Sequence, residues 1–138
     1  MKILILCNKS PWPKHEVGPI AMYAMISGLL QAGHSVKVLA ANTNKYHVDP
    51  DTMPDDLVQN TQIEFVDIDL TLTYAGALYH FITAQSYHIT RFHTKPMAQK
   101  ITAILRNDTF DIIQLETLQM ATYLDVIRKN SKAAVVLR

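Results

Sequence analysis

Cysteine is almost missing from this chain: among 138 residues there is one, Cys7. No internal disulfide framework can form, which fits the reducing cytoplasm. Cys7 lies inside the first apolar run, where a small buried side chain is the expected role rather than a reactive thiol. Glycine is scarce too, at four residues, and none of them builds G-x-G-x-x-G or G-x-x-x-x-G-K-[ST]. The first gap excludes close backbone approach to a dinucleotide pyrophosphate, and no acidic residue ends the second strand to hold a ribose. The second excludes a loop that cradles a nucleoside triphosphate. No cofactor is implied.

Charge of one sign is lacking as well. Thirteen Lys and Arg stand against 12 Asp and Glu, a formal net charge of +1, and the basic residues are scattered, so nucleic acid is not an expected partner. Long hydrophobic runs are absent: Ile3 to Cys7 is five residues, too short for a signal-peptide core or a membrane span. The order Leu4-Ile5-Leu6-Cys7 superficially resembles a lipoprotein cleavage site, but no apolar region of adequate length precedes it. Peripheral attachment at the inner face of a membrane stays open. There is no internal repeat and no low-complexity tract.

What is present is enough apolar material for one core, 49% of residues, and the length of one domain, residues 1–138. Five strands are expected. Ile3 to Cys7 and Val36 to Ala41 are short apolar runs suited to strands covered on both faces. Ile63, Phe65, Val66 and Ile68 alternate with Glu64, Asp67 and Asp69, the pattern of an edge strand with one exposed side. Ile112, Ile113 and Leu115 form the fourth, and Ala133 to Leu137 the fifth.

Helices are expected between them. Met22, Met25, Ile26 and Leu29 recur at helical spacing, and Gly33 supplies a left-handed stop. Pro96 suits a first helical turn, Met97, Ile101, Ile104 and Leu105 make an apolar stripe, and Asn107 ends it. A further helix follows Glu116, with Thr117 as its cap, Met120, Leu124 and Ile127 facing inward, and Arg128 and Lys129 at its negative end. Asn42 to Gln62 reads as a surface loop with a short turn near Asp55 to Val58. Ala75, Leu78, Phe81 and Ile82 are spaced for a helix.

Strands alternating with helices predict an α/β fold, a doubly wound Rossmann-like parallel sheet in the order 3-2-1-4-5 with helices on both faces. The switch point then falls between strands 1 and 4, where the loop Asn8 to Gly18 faces the turn Leu115-Glu116-Thr117. Ligands of such sheets bind at that crevice. Gly18 and Pro19 either let a phosphate or sugar meet free helix N–H groups or simply start the helix. Glu116 either binds substrate hydroxyls or serves the free N–H groups that follow it. Trp12 is a sugar platform or a packing lid, and Lys14 and His15 are diphosphate ligands or a solvated charge pair. His80, His88 and His93 have gaps that do not put three ligands on one helical face, so no metal is expected. Tyr87 to Lys95 reads as an ordinary connection, although its basic and aromatic residues also suit an anionic ligand or lipid headgroups.

These stretches carry a family resemblance. Asn8 to Ser27, with Pro13, Gly18-Pro19 and the helix that leads to Gly33-His34-Ser35-Val36, resembles the opening of a family-4 glycosyltransferase of the GT-B fold. Phe110-Asp111-Ile112-Ile113-Gln114-Leu115-Glu116, Leu118-Gln119-Met120-Ala121 and Val135-Val136-Leu137-Arg138 match later blocks in the same order.

The resemblance implies the acceptor-side, N-terminal domain of a two-domain enzyme that transfers a sugar from a nucleotide-sugar to a glycan or lipid-linked glycan. It further implies retention of configuration and no essential divalent metal. Asn8, Gly18, Pro19, Glu116 and Thr117 would line the substrate cleft, with no catalytic residue in this chain. The family's glycine-rich loop falls on Val17, Gly18 and Pro19, with Val17 where a second glycine is common. A final strand with nothing after it leads to the expectation of a continuing chain that carries the donor domain, of no activity from this part alone, and of self-association through the flank after strand 5. The competing expectation is a self-contained small-molecule binding or regulatory module on the same sheet.

Overall fold

The computed structural model describes residues 1–71 and 91–138. The helix expected around Ala75 to Ile82 lies outside the described residues. Five strands, β1 (Lys2–Cys7), β2 (Ser35–Thr43), β3 (Glu64–Ile68), β4 (Ile112–Glu116) and β5 (Ala134–Leu137), form one sheet in the order β3-β2-β1-β4-β5. Every pairing is parallel. The fold is the expected Rossmann-like one.

The central strands are buried because helices cover both faces. Alternation along β1 sends Leu4 and Leu6 to one face and Ile3, Ile5 and Cys7 to the other. On the second of these faces lie α1 (Val17–Gln31), through Met22 and Ile26, and α2 (Asp55–Thr61), through Leu57. On the first lie α3 (Lys95–Asn107), through Met97, Ile101, Ile104 and Leu105, and α4 (Leu124–Asn130), through Ile127.

Local chemistry sets the helix ends. Gly33, at φ 80°, closes α1: its N–H donates to the Leu30 carbonyl and that of His34 to the Leu29 carbonyl, the paired bonds of a Schellman end. The Thr94 side chain accepts from the Met97 N–H and Pro96 occupies the first turn of α3. β2 runs two residues past the expected stop at Ala41. Asn42, although polar, is buried there because its amide donates to the Val48 carbonyl at 3.1 Å and its carbonyl accepts from the Val48 N–H at 2.9 Å.

The segment after β4 differs from expectation. Two tight 3-10 turns, Leu118–Tyr123, precede α4, and Leu124 is exposed rather than inward. Tyr123 explains the break in helical register. It is fully buried, its hydroxyl donates to the Phe92 carbonyl and accepts from the Thr94 N–H at 2.9 Å, and this fixes the chain at the residue just before α4 begins. Among the described residues no helix is long and apolar enough to cross a membrane.

Candidate functional site

The register of the sheet sets Cys7, the last residue of β1, beside Glu116, the last of β4. The loop after β1 and the turn after β4 therefore leave the sheet from the same end at the switch point, where open α/β sheets bind ligands. The β1–α1 connection spans nine residues, Asn8 to Glu16, against roughly two to six in ordinary strand-to-helix loops. Part of that length folds on itself: Ser10 is buried and its hydroxyl accepts from the Trp12 N–H at 3.1 Å. Asn8 follows directly at the end of β1, half-buried.

Gly18 and Pro19 stand in the first turn of α1, as expected. No side chain caps this helix and no acidic residue occupies its first turn, so the positive end of the dipole is free of both. The room beside Gly18 has an occupant the sequence did not announce. A Cβ on Gly18 would sit 3.1 Å from Lys9 Cε and 3.3 Å from Lys9 Nζ. The Lys9 side chain thus lies across the space that glycine opens, and its ammonium pairs with Glu16 at 2.6 Å.

Within the chain, Glu116 does not meet the N–H groups that follow it but is paired elsewhere. Oε2 accepts from Arg138 Nη1 at 2.8 Å and Oε1 from Gln114 Nε2 at 2.5 Å. Its side chain is only 5% exposed, so the carboxylate is held in place by a cation and an amide on its own and the neighbouring strand. The same charge acts on Cys7: burial first, then the Glu116 carboxylate, push the thiol up, and Arg138 only partly opposes them. Cys7 is accordingly a core residue and not a nucleophile.

Thr117 stands at the N-cap position of the 3-10 segment, but its side chain caps nothing. Its backbone stands at φ 83°, ψ 157°, a region almost confined to glycine, and for a β-branched side chain this is strained. Neighbouring bonds hold it there: its N–H donates to the Arg138 carbonyl at 3.0 Å and its carbonyl accepts from the Met120 N–H at 3.1 Å. Its hydroxyl oxygen is buried with no hydrogen-bond partner among the described residues. Strain of this kind gathers at binding sites.

Trp12 takes the packing role. Its ring lies 6.3 Å from Tyr23, tilted, and it leans on the α1 side of the core. Lys14 stands over both rings, 4.1 Å from Tyr23 and 5.4 Å from Trp12. His80 and His88 lie outside the described residues. His93 stacks on Tyr123 at 5.0 Å and its Nδ1 meets the Thr122 carbonyl at 3.0 Å. Among the described residues no group of three or more His, Cys, Asp or Glu side chains is placed to hold a metal ion.

Of the five expected site residues, Glu116 ends β4 and Thr117 follows it, Asn8 follows the last residue of β1 at the same end of the sheet, and Gly18 and Pro19 stand in the first turn of α1. Sequence reasoning missed Lys9 and Arg138. Glycine at position 18, where a side chain would crowd the loop, was the available signal for Lys9. No family model, no curated protein and no solved structure matches the chain.

Proposed function

We propose that this chain is the acceptor-side domain of a cytoplasmic two-domain glycosyltransferase. With a donor-binding partner domain, it would move a sugar from a nucleotide-sugar to a hydroxyl of a glycan or lipid-linked glycan, at or near the inner face of a membrane. The observation that carries the reading is the long β1–α1 loop beside an uncapped helix N-terminus at the switch point, at the same end of the sheet as the fixed Glu116 and the strained Thr117.

In this reading the chain supplies one wall of a cleft. The N–H groups of Val17 and Gly18, at the positive end of α1, offer an anion the partial charge that a leaving diphosphate needs. Glu116 is already committed to Arg138 and Gln114, so it acts by positioning the end of β4 and not as a general base. Asn8 presents its amide to acceptor hydroxyls, and Thr117, whose own polar groups are buried or bonded, shapes the turn beside it. Orientation of acceptor against donor, and exclusion of water when two domains close, are the contributions such a wall makes to rate.

The test is glycosyl transfer by the full reading frame and by this 138-residue chain, over a panel of nucleotide-sugars and acceptors. Transfer by the full frame alone is the expected result. A full frame that transfers no sugar overturns the reading in favour of a binding module, a second reading supported by the cavity between the β1–α1 loop and the segment after β2.

A further inference from the structure

The β1–α1 loop faces two ways. On the side away from β4, it and the segment after β2 enclose a cavity of about 180 Å³. That is smaller than the roughly 300–1,000 Å³ of pockets for drug-sized ligands and suits one compact polar group with a small ring. Lys9, His15, Glu16, Tyr46 and His47 contribute to its wall.

Cations are gathered there on aromatic faces. Lys9 Nζ lies 4.7 Å and Lys45 Nζ 5.0 Å from the Tyr46 ring centroid. Lys14 is held in the same manner over Tyr23 and Trp12, the latter a further wall residue. A ring face holds an ammonium without neutralising it and leaves its N–H groups free to donate.

Opposing charge is thin. Glu16 is the one carboxylate in the cavity wall, and it pairs with Lys9. Asp49, the next acid after β2, turns its carboxylate to the Asp51 N–H. Lys14 and Lys45 have no carboxylate partner among the described residues. Lys9 and Glu16 balance within the wall, and just outside it stand two ammonium groups without a carboxylate partner, those of Lys14 and Lys45, with two imidazoles on the wall and the N-terminus of α1 beside it.

We propose that this cavity binds a phosphomonoester, a sugar or small polyol that carries one phosphoryl group. Such a group bears close to two negative charges at neutral pH and three strong acceptor oxygens, which matches the excess charge and the surplus of donors. A single carboxylate would leave one ammonium unanswered. The inference goes beyond sugar transfer, since it concerns binding by this chain whatever the full reading frame catalyses.

The experiment is calorimetric titration of the 138-residue chain with glucose 6-phosphate, glucose and inorganic phosphate, with phosphatidate vesicles as a further arm. Saturable binding of glucose 6-phosphate, at least about tenfold tighter than of glucose or inorganic phosphate, is expected. The double variant K14Q/K45Q, altered at two exposed lysines, should keep its thermal midpoint and weaken the ester by about tenfold, up to about fivefold for each exposed charge. Lys100→Gln, which lies elsewhere on Glu64, should leave affinity unchanged. No saturable binding, equal binding of glucose, inorganic phosphate as tight as the ester, or an unaltered K14Q/K45Q would each overturn the proposal. Vesicle binding without glucose 6-phosphate binding would overturn it in favour of a lipid headgroup.

Discussion

The Arg138 guanidinium meets the Glu116 carboxylate at 2.8 Å and so ties the end of β5 to the buried end of β4. Glu116 is almost fully enclosed while Arg138 is 41% exposed, so loss of the arginine strands a charge where water barely reaches it. Breaking a fully buried pair costs about 3–5 kcal/mol, and exposure of one partner reduces this to about 1–3 kcal/mol here. Arg138→Met should lower the urea midpoint accordingly. Glu116→Gln in the same chain should restore part of the loss, because an amide needs no counter-charge and still accepts from Gln114. Denaturant titration of the two single variants and the double variant checks both steps, and a wild-type midpoint for Arg138→Met would refute the coupling.

Thr117 offers a second test, because its strain comes from the backbone and not from lost contacts. Glycine adopts φ 83° freely, so Thr117→Gly removes about 1–2 kcal/mol of native-state strain and costs about 0.5–1 kcal/mol in unfolded-chain entropy. The expected sum is neutral to about 1 kcal/mol stabilising, where threonine to glycine elsewhere in the chain destabilises. Equilibrium unfolding measures it; a loss above about 1 kcal/mol would mean that the buried hydroxyl holds more than the strain costs.

The sheet was legible because its signals are local. Short apolar runs, the acidic alternation Glu64, Asp67, Asp69, and stops such as Gly33 and Pro96 each act within a few residues, and together they specified order and direction. The segment after Glu116 was not, since Met120 and Ile127 satisfy an apolar stripe equally well when a 3-10 turn precedes a short helix. The site was legible only in position. That Glu116 stands at the end of β4 follows from its apolar run, but its partner lies 22 residues away on the next strand and pairs only once the sheet has formed. Thr117 carried no signal at all, because nothing about a threonine announces a positive φ.

Acid should loosen β3 where Glu64 ties it to β2 and α3. Burial pushes the Glu64 carboxyl up, but hydrogen bonds from Lys100 and Lys37 outweigh it and leave the group below its ordinary value of 4.5. A depressed native value means that the unfolded chain takes the proton first. The contribution of Glu64 is therefore complete above about pH 4.5 and is lost as pH falls below it through the native value. Glu64→Gln should lower stability slightly at pH 7, by under about 1 kcal/mol for such exposed pairs, and flatten the fall as pH drops below the ordinary value of 4.5. Parallel acid titrations of the two proteins, followed by circular dichroism, should converge at low pH; curves that stay parallel would dismiss the role of Glu64.

Gly18→Ala separates stability from function at the mouth of α1. Gly18 has no positive φ to protect, and alanine in a helix is favoured over glycine by about 0.5–1 kcal/mol. The new Cβ falls 3.1 Å from Lys9 Cε, the far end of a flexible side chain, which must shift by a few tenths of an ångström. Loosening of the exposed Lys9–Glu16 pair costs about 0–1 kcal/mol, so the two effects nearly cancel and the thermal midpoint should stay within a few degrees. What changes is the approach of a ligand to the N–H groups of the first turn, now shared between a methyl group and a displaced ammonium. If the chain is the acceptor-side domain proposed above, kcat/KM for sugar transfer by the two-domain enzyme should fall by roughly tenfold or more, the scale on which small misplacements act. A stable variant with unchanged kcat/KM would place the reacting groups away from the first turn of α1.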